Sequence, residues 1–154
     1  MVDGCPFCEI VAGRKHQEIV YADDGVVAFL CEPPATWGHL LVVPRQHRHD
    51  IWEASRAEAA ALMSAAHLIA NVVRSELAAA GVNLRLNSGV CAGQDVLHLH
   101  LHVVPRYEDD TVQPGCVWGE PPWEPPAGGE PECRRVAEAV RRGVAARHGP
   151  GTVS

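Results

Sequence analysis

The sequence predicts an α+β fold in which an antiparallel sheet of about five strands packs against one long helix. The prediction rests on a β-hairpin signal near the start of the chain, on further short β-prone runs, and on a single Ala-rich stretch with helical periodicity. The length of 154 residues suits one such domain with an extension. A chain of this size buries roughly 70% of its unfolded surface, which is enough for one core.

The first part of the chain is predicted to form a short helix and three strands. Residues 5–13 have helical character and end at a glycine. Two β-prone runs, Ile19–Ala22 and Val26–Leu30, flank an Asp-Asp-Gly segment. An Asp-Gly turn with positive φ at its centre is a strong hairpin signal, so the two runs are predicted to pair. After a Pro-rich connection, residues 39–44 form the third predicted strand, which a proline closes.

The long helix is predicted to begin at Ser55 and to run to residue 80. Ser55 and Glu58 have the spacing of a capping box, in which the serine side chain satisfies a free backbone N–H at the helix start. Gly81 is a suitable terminator. Apolar residues spaced three and four apart mark the buried face, namely Ala59, Leu62, Met63, Ala66, Ile69, Ala70, Val73 and Leu77.

Two further strands follow the long helix. Residues 82–86 and 97–104 are β-prone, a polar loop over 87–95 separates them, and Pro105 is expected to end the second strand. These elements complete a predicted domain over residues 1–107.

The remaining residues, 108–154, are predicted to form a C-terminal extension. Its first part, 108–131, contains six prolines and reads as an irregular segment, while 132–148 reads as a short amphipathic helix. Trp118 and Trp123 lie in the irregular segment. They are candidates to stack on a base or an acceptor, or to pack against a dimer surface.

Composition excludes several classes of function. The net charge of −6 argues against a protein that grips nucleic acid through its backbone charge. No apolar run reaches the length of about 18 residues that a membrane span needs, and residues 1–9 lack the pattern of a secretory signal. We therefore expect a cytoplasmic protein. Nine histidines and six cysteines are the unusual features, and in that compartment the cysteines are expected to be thiols or metal ligands.

Three histidines alternate with apolar residues on the last predicted strand. His98, His100 and His102 should line one face of it, while Leu97, Leu99, Leu101 and Val103 pack on the other. Three half-exposed histidines without a role would be an improbable coincidence. Neutral imidazoles on one strand can bind zinc, and an imidazole can also attack an electrophile and form a covalent intermediate. Spacing alone leaves metal binding and covalent catalysis open.

The residues around this strand resemble the histidine triad family. The similarity covers about residues 4–107, and its motifs are specific when they occur together. They are His-Leu-His-Leu-His-Val-Val at 98–104, Ala-Gly-Gln-Asp-Val at 92–96, Asn87, Gly-His-Leu-Leu-Val-Val-Pro at 38–44, Val-Ala-Phe at 27–29 and Pro-Phe-Cys-Glu-Ile at 6–10. The resemblance implies the antiparallel α+β fold of that family and a homodimer formed through the long helix and a sheet edge.

The resemblance also implies a reaction. Family members are nucleotide hydrolases or nucleotidyl transferases that cleave at the α-phosphate of a nucleoside phosphoramidate, a dinucleotide or an activated sugar nucleotide. By position, His100 is the nucleophile that would form a nucleotidyl-imidazole intermediate, and His102 contacts the phosphate and assists the leaving group. His98 orients or tunes the nucleophile, and His39 is the fourth histidine near the triad.

The substrate-binding residues follow from the same resemblance. The nucleoside pocket is expected at Phe7, Ile10 and Phe29, and the phosphate loop and its surroundings at Asn87, Gly93, Gln94, Asp95 and Val96. Two residues depart from the family pattern. Cys31 stands where an acidic residue usually holds the ribose, so Glu32 is expected to take over that role or the ribose is read less strictly. Asp95 stands where Ser or Thr is usual, and a carboxylate beside a phosphate costs Coulomb energy.

Cys5 and Cys8 form a C-x-x-C pair at the start of the first predicted helix. Alone, such a pair fits a zinc site, a redox pair or two unrelated thiols. The resemblance implies a structural Zn²⁺ completed by His47 and His98, since two thiolates and two imidazoles suit a closed tetrahedral site. His98 would then be a metal ligand rather than a free partner of the nucleophile. No organic cofactor is expected.

Three hypotheses on function therefore stand after the sequence. The first is a nucleotide hydrolase or nucleotidyl transferase that works through a covalent His100 intermediate and needs no nucleic-acid or membrane partner. The second, motivated by Cys31 and Asp95, is a nucleotide- and zinc-binding module with little or no turnover. The third uses the triad itself as a catalytic zinc site.

Overall fold

The chain has the predicted α+β fold. A computed structural model describes residues 2, 4–108, 110 and 127–148. Within these residues, five strands form one antiparallel sheet and three α-helices pack on it. In chain order the elements are α1 (Pro6–Val11), β1 (Ile19–Ala22), β2 (Val26–Leu30), β3 (Leu40–Pro44), α2 (Arg56–Glu76), β4 (Gly81–Leu86), β5 (Leu101–Arg106) and α3 (Gly129–His148).

The sheet has the strand order β1-β2-β3-β5-β4, and helices cover both of its faces. Alternation along the strands sends one set of residues toward α2 and α3 and the other set toward α1. The larger core lies on the α2 side and includes Ala28, Leu40, Val42, Leu101 and Val103. The smaller core lies on the α1 side and contains Cys5, Phe7, Cys8, Ile10, Val27, Phe29, Leu41 and Val43. The smaller core is the one that adjoins the histidines.

Helix α2 begins as predicted and ends earlier than predicted. Ser55 Oγ accepts the backbone N–H of Glu58, and the Glu58 carboxylate accepts the N–H of Ser55, so the capping box is formed. The helix ends at Glu76 rather than near Gly81, because Ala78 adopts a positive φ of 54°. Met63, predicted on the buried face, is 50% exposed.

The β1–β2 hairpin has the predicted strand bounds and a different turn. Gly25 does not adopt the positive φ that the Asp-Gly pattern predicted. The Asp23 carboxylate instead accepts the N–H groups of Gly25 and Val26, both at 2.8 Å. This side-chain closure replaces the positive-φ turn.

The histidine-bearing strand is shorter at its start than predicted. β5 begins at Leu101, so His98 and His100 precede the ladder, and it continues through Pro105 to Arg106. The N–H of Leu99 binds the carbonyl of Arg48 in a loop at 2.6 Å instead of a strand partner. Leu97, predicted in the core, is 53% exposed, whereas Leu99 is fully buried.

Helix α3 is longer than the predicted short helix and packs on the main core. It spans 20 residues, and its row of Val136, Val140 and Val144 is buried in the larger core. Gly143 lets it approach α2, because a Cβ there would lie 2.7 Å from a Val72 methyl group. Trp118 and Trp123 lie outside the described residues. Among the described helices, none combines the length and hydropathy that crossing a bilayer requires.

Candidate active site and metal cluster

A cavity of about 470 Å³ opens on the α1 side of the sheet. Paired residues of β2, β3 and β5 form its floor. Phe29 pairs with Leu41, and Leu41 pairs with His102. Directly paired residues share a face, so an apolar slot runs toward an imidazole. The Phe7 ring, from α1, lies 5.6 Å from the Phe29 ring and 5.3 Å from the His100 ring, centroid to centroid. The sheet and α1 therefore place aromatic surfaces beside two of the triad histidines.

A backbone carbonyl determines the tautomer of His100. Its Nδ1 lies 2.8 Å from the carbonyl oxygen of His98. Because a carbonyl only accepts, Nδ1 carries the proton, and in the neutral ring Nε2 keeps its lone pair. Nε2 lies 3.6 Å from a carboxylate oxygen of Asp95. His100 therefore presents a nucleophilic nitrogen at the cavity.

A second chain of hydrogen bonds determines the tautomer of His102. The N–H of Ala35 donates to His39 Nδ1 at 3.1 Å, so His39 carries its proton at Nε2. That Nε2 donates to His102 Nδ1 at 2.9 Å. His102, when neutral, must then hold its own proton at Nε2. The two histidines that line the cavity are therefore opposite tautomers. His100 has a lone pair at Nε2, and His102 has a proton there.

Burial keeps these imidazoles neutral. It lowers the pKa of His39 to about 3, with the other histidines adding to the shift. It lowers the pKa of His98 and of His102 to about 4. It also lowers the pKa of His100, against the opposing effects of the His98 carbonyl and of Asp95. A neutral imidazole is the form that attacks an electrophile.

Four side chains that could hold a metal ion meet behind His100, and they are the four that the resemblance implied. The ligand atoms of Cys5, Cys8, His47 and His98 all lie within 4.8 Å of one another. His98 Nδ1 is 3.4 Å from Cys5 Sγ and 3.6 Å from Cys8 Sγ. His47 Nδ1 is 3.4 Å from Cys8 Sγ. Ligand bonds of about 2.3 Å to sulfur and 2.0–2.1 Å to nitrogen in a tetrahedron give sulfur–nitrogen separations of about 3.6 Å, so the spacing fits zinc.

The tautomer of His98 also fits a metal. Its Nε2 donates to the carbonyl of Pro44 at 3.0 Å, which leaves the Nδ1 lone pair directed at the two sulfurs. His98 thereby has two functions: its side chain faces the Cys/His cluster, and its carbonyl holds His100.

The loop before the triad is held by its own polar side chains. Gln94, which is 4% exposed, donates to the carbonyls of His49 and Val96 and accepts the N–H of Gly89. Asn87 donates to the carbonyl of Gly93 at 2.9 Å and accepts from Arg85 Nε at 2.8 Å. Gly93 itself has a φ of +81°, which favours glycine. In this structure Gln94 and Asn87 therefore shape the loop.

The structure brings most of the sequence-predicted site residues to the cavity and adds others. Its lining includes Phe7, Ile10, Phe29, Cys31, Glu32, Asp95, Val96, His100 and His102. Burial raises the pKa of Cys31 to about 12, so the residue is a neutral thiol and a weak acceptor. His39 and His98 lie behind the lining. Sequence reasoning missed five residues of the wall, namely Lys15, Gln17, Leu30, Pro33 and Leu41.

Two of the missed residues, Leu30 and Leu41, lie on predicted strands, and Leu41 had the clearer signal. It lies on a predicted strand two residues after His39, on the same face as that histidine. Lys15 and Gln17 reach the cavity through the irregular segment after α1, where Gln17 donates to the carbonyl of Leu30 at 2.6 Å. No periodic pattern predicts such a contact.

Comparison with known proteins identifies the family to which this sheet, the paired imidazoles at the cavity and the Cys/His cluster behind them belong. The model of the HIT domain matches residues 12–109. An uncharacterized HIT-like protein of Saccharolobus solfataricus is 45% identical over 106 residues, which cover 69% of this chain and 76% of that protein. An adenylylsulfatase of Arabidopsis thaliana is 33% identical over 114 residues, or 74% of this chain and 55% of that protein.

The solved structures agree. A zinc-bound histidine triad family protein of Mycobacterium smegmatis superposes with a TM-score of 0.80 at 29% identity, covering 96% of this chain and 98% of that one. The chain belongs to the histidine triad (HIT) family, and with it to the superfamily of nucleotide hydrolases and transferases.

Proposed function

We propose that this protein is a nucleotide hydrolase or nucleotidyl transferase that acts through a covalent nucleotidyl-His100 intermediate. Its substrates would be nucleoside phosphoramidates, dinucleoside polyphosphates or similar conjugates, cleaved at the α-phosphate. The observation that carries the proposal is that His100 and His102 are opposite tautomers, with a lone pair at Nε2 of His100 and a proton at Nε2 of His102. The adenylylsulfatase name of the Arabidopsis relative points to chemistry of the same class.

The reaction would proceed in two displacements. His100 Nε2 forms a bond to the α-phosphorus as the bond to the leaving group breaks, while His102 Nε2–H donates a hydrogen bond to the departing atom. The leaving group takes up its proton from solvent water, so His102 keeps its own. Water or another acceptor then attacks the same phosphorus, the P–N bond to His100 breaks, and the acceptor's proton passes to solvent. His39 orients the His102 ring, because the Ala35 N–H fixes the His39 proton on Nε2 and the 2.9 Å bond to His102 Nδ1 then allows only one tautomer of each neutral ring.

The apolar slot would hold the nucleoside. Phe7, Ile10 and Phe29 offer a surface on which a base can stack, and Val96 and Asp95 lie at the other end of the cavity beside His100. Because Cys31 is a neutral thiol and Asp95 lies beside His100, Glu32 is the carboxylate of the cavity that we assign to the ribose hydroxyls.

We propose Zn²⁺ as the ion of the cluster formed by Cys5, Cys8, His47 and His98. The donor set, the sulfur–nitrogen spacing and the tautomer of His98 support this assignment. His47 Nδ1 lies 3.4 Å from Cys8 Sγ, so this nitrogen is the one placed to bind the ion. A structural ion there would rigidify the segment that carries the His98 carbonyl.

We also propose that the protein is a homodimer. β4 is an edge strand, and its Val82 and Leu84 are 37% and 42% exposed. Met63 on α2 is 50% exposed. Sedimentation equilibrium should give a dimer for the wild type and a monomer for Leu84→Glu, and a monomeric wild type would refute this assembly.

Turnover of a substrate panel tests the proposed function. We expect hydrolysis of at least one of a nucleoside phosphoramidate, a dinucleoside polyphosphate and a sugar nucleotide, with a loss of about a thousandfold or more in His100→Gln. His67→Gln, at an exposed histidine of α2, is the matched control and should keep wild-type rates. Full activity in His100→Gln would refute the nucleophile. Nucleotide binding without any turnover would identify a binding module instead.

A further inference from the structure

Asp95 places a negative charge beside the attacking nitrogen of His100. Its side chain lies largely in solvent. One carboxylate oxygen lies 3.6 Å from His100 Nε2, and the side chain is 76% exposed. The same oxygen accepts the N–H of Val96 at 2.9 Å. The carboxylate is therefore oriented at the mouth of the cavity rather than paired with a cation in its interior.

We propose that Asp95 makes the site selective for the charge of the leaving group, favouring amines that carry a positive charge over leaving groups that carry extra negative charge. This rests on the proposed function, because it assumes attack by His100 on an α-phosphate. The favoured substrates are nucleoside phosphoramidates of cationic amines, and the disfavoured ones are polyphosphate, sulfate and carboxylate conjugates.

The reasoning starts from the position of the phosphorus. An attacking nitrogen in a productive complex lies about 3–3.5 Å from the phosphorus, and the leaving group departs on the opposite side. An oxygen 3.6 Å from Nε2 then belongs to the immediate surroundings of the α-phosphate. Every substrate brings the same α-phosphate, so repulsion between it and Asp95 is common to all of them. Only the charge of the leaving group differs between substrates.

The other charged groups near the cavity do not cancel this effect at the reacting end. Lys15 and Glu32 line the wall, in segments that follow α1 and β2. Arg85, in register with His102 on β4, donates to Asn87 and lies beside the loop at Gly93. Its charge would attract the shared α-phosphate. An in-line leaving atom lies about 5 Å from His100 Nε2, so the Asp95 oxygen that is 3.6 Å from Nε2 stands roughly 6 Å from what departs and acts on its charge across that distance.

The size of the effect follows from the exposure of Asp95. Two unit charges about 6 Å apart in a water-like medium interact weakly, which corresponds to roughly a threefold change in rate for each unit of charge on the leaving group. A cationic and an anionic leaving group differ by two units, so about a tenfold ratio is expected. Salt should reduce this ratio, because an exposed carboxylate is screened.

Three adenosine 5′-phosphoramidates of similar shape test the proposal. Their amines are 1,3-diaminopropane, butylamine and β-alanine, which place a positive, a neutral and a negative group at about the same distance from phosphorus. In the wild type, kcat/KM should fall in that order, with about a tenfold ratio between the first and the last. In Asp95→Asn, which keeps the shape and removes the charge, the ratio should fall to about one.

Asp24→Asn is the matched control, since Asp24 is exposed in the β1–β2 turn and its replacement changes the net charge equally. It should keep the wild-type ratio. Equal ratios in the wild type and Asp95→Asn, or faster cleavage of the β-alanine amide by the wild type, would overturn the proposal. If the wild type cleaves none of the three, the proposed function fails by itself. In that case calorimetry measures the affinities of the same amides for the wild type and Asp95→Asn. The diaminopropane amide should bind about tenfold more tightly than the β-alanine amide to the wild type and equally tightly to Asp95→Asn, and equal ratios in the two proteins would overturn the proposal.

Discussion

Replacing His39 by Gln should make the protein markedly less sensitive to mild acid. His39 is fully buried, and burial lowers its pKa from 6.5 to about 3. The imidazole is therefore neutral in the folded chain throughout the mildly acidic range, whereas in the unfolded chain it takes up a proton below its ordinary pKa. A glutamine amide at this position can still donate to His102, but it has no proton to gain.

The sign and the size follow from proton linkage. A histidine with a depressed pKa contributes nothing that depends on pH well above 6.5, because both states are then neutral. As the pH falls below 6.5 the unfolded state gains a proton that the folded state does not bind, and the free energy of unfolding decreases by about 1.4 kcal/mol per pH unit. The loss continues down to the folded pKa of about 3. Between pH 7.5 and pH 5, His39 alone should cost about 2 kcal/mol.

Denaturant unfolding at a series of pH values measures this effect. The wild type should lose about 2 kcal/mol more than His39→Gln between pH 7.5 and pH 5, with equal metal content in both proteins. His16→Gln is the control, because His16 is exposed in the folded chain. It should follow the wild-type curve. Parallel curves for the wild type and His39→Gln would refute the idea that this imidazole is held neutral.

Three further predictions concern the metal and the packing. Elemental analysis should find one zinc per chain in the wild type and in Cys31→Ser but none in Cys5→Ser, and zinc retained in Cys5→Ser would contradict the cluster. Ser55→Ala should lower the free energy of unfolding by about 1 kcal/mol through loss of the α2 cap, whereas Ser64→Ala, at an exposed position inside the helix, should not lower it. Gly143→Ala should cost about 1–2 kcal/mol, since its Cβ would meet Val72 and Glu76 at 2.7 Å; an unchanged melting temperature would show that α3 does not pack closely on α2.

Local signals in the sequence predicted the fold well. The strands of the hairpin and the capping box at Ser55 each depend on residues close in sequence, and the structure contains both. The alternation of histidine with apolar residues places Leu99, Leu101 and Val103 in the core as predicted, but not Leu97. The exceptions arise where a hydrogen bond that no periodic pattern indicates determines the end of a strand or the form of a turn. β5 begins late because the N–H of Leu99 binds the carbonyl of Arg48, and the hairpin turn closes through the carboxylate of Asp23.

The candidate site was predictable in its residue types and not in its geometry. The Cys/His cluster and the triad followed from motifs, and the structure brings the four expected ligands together. The tautomers depend on the carbonyl of His98 and on the N–H of Ala35, which no sequence pattern indicates. Lys15 and Gln17 reach the cavity through an irregular segment, and α3 joins the main core through contacts far apart in the chain.

Trapping the covalent intermediate tests the central claim most directly. The wild type is mixed with a nucleoside phosphoramidate, quenched without acid because a phosphorus–imidazole bond is labile in acid, and analysed by intact mass and peptide mapping. The proposed mechanism predicts a mass increase of one nucleotidyl group that maps to His100 and is absent in His100→Gln. Rapid turnover with no adduct at any time point, or an adduct on a different residue, would contradict it.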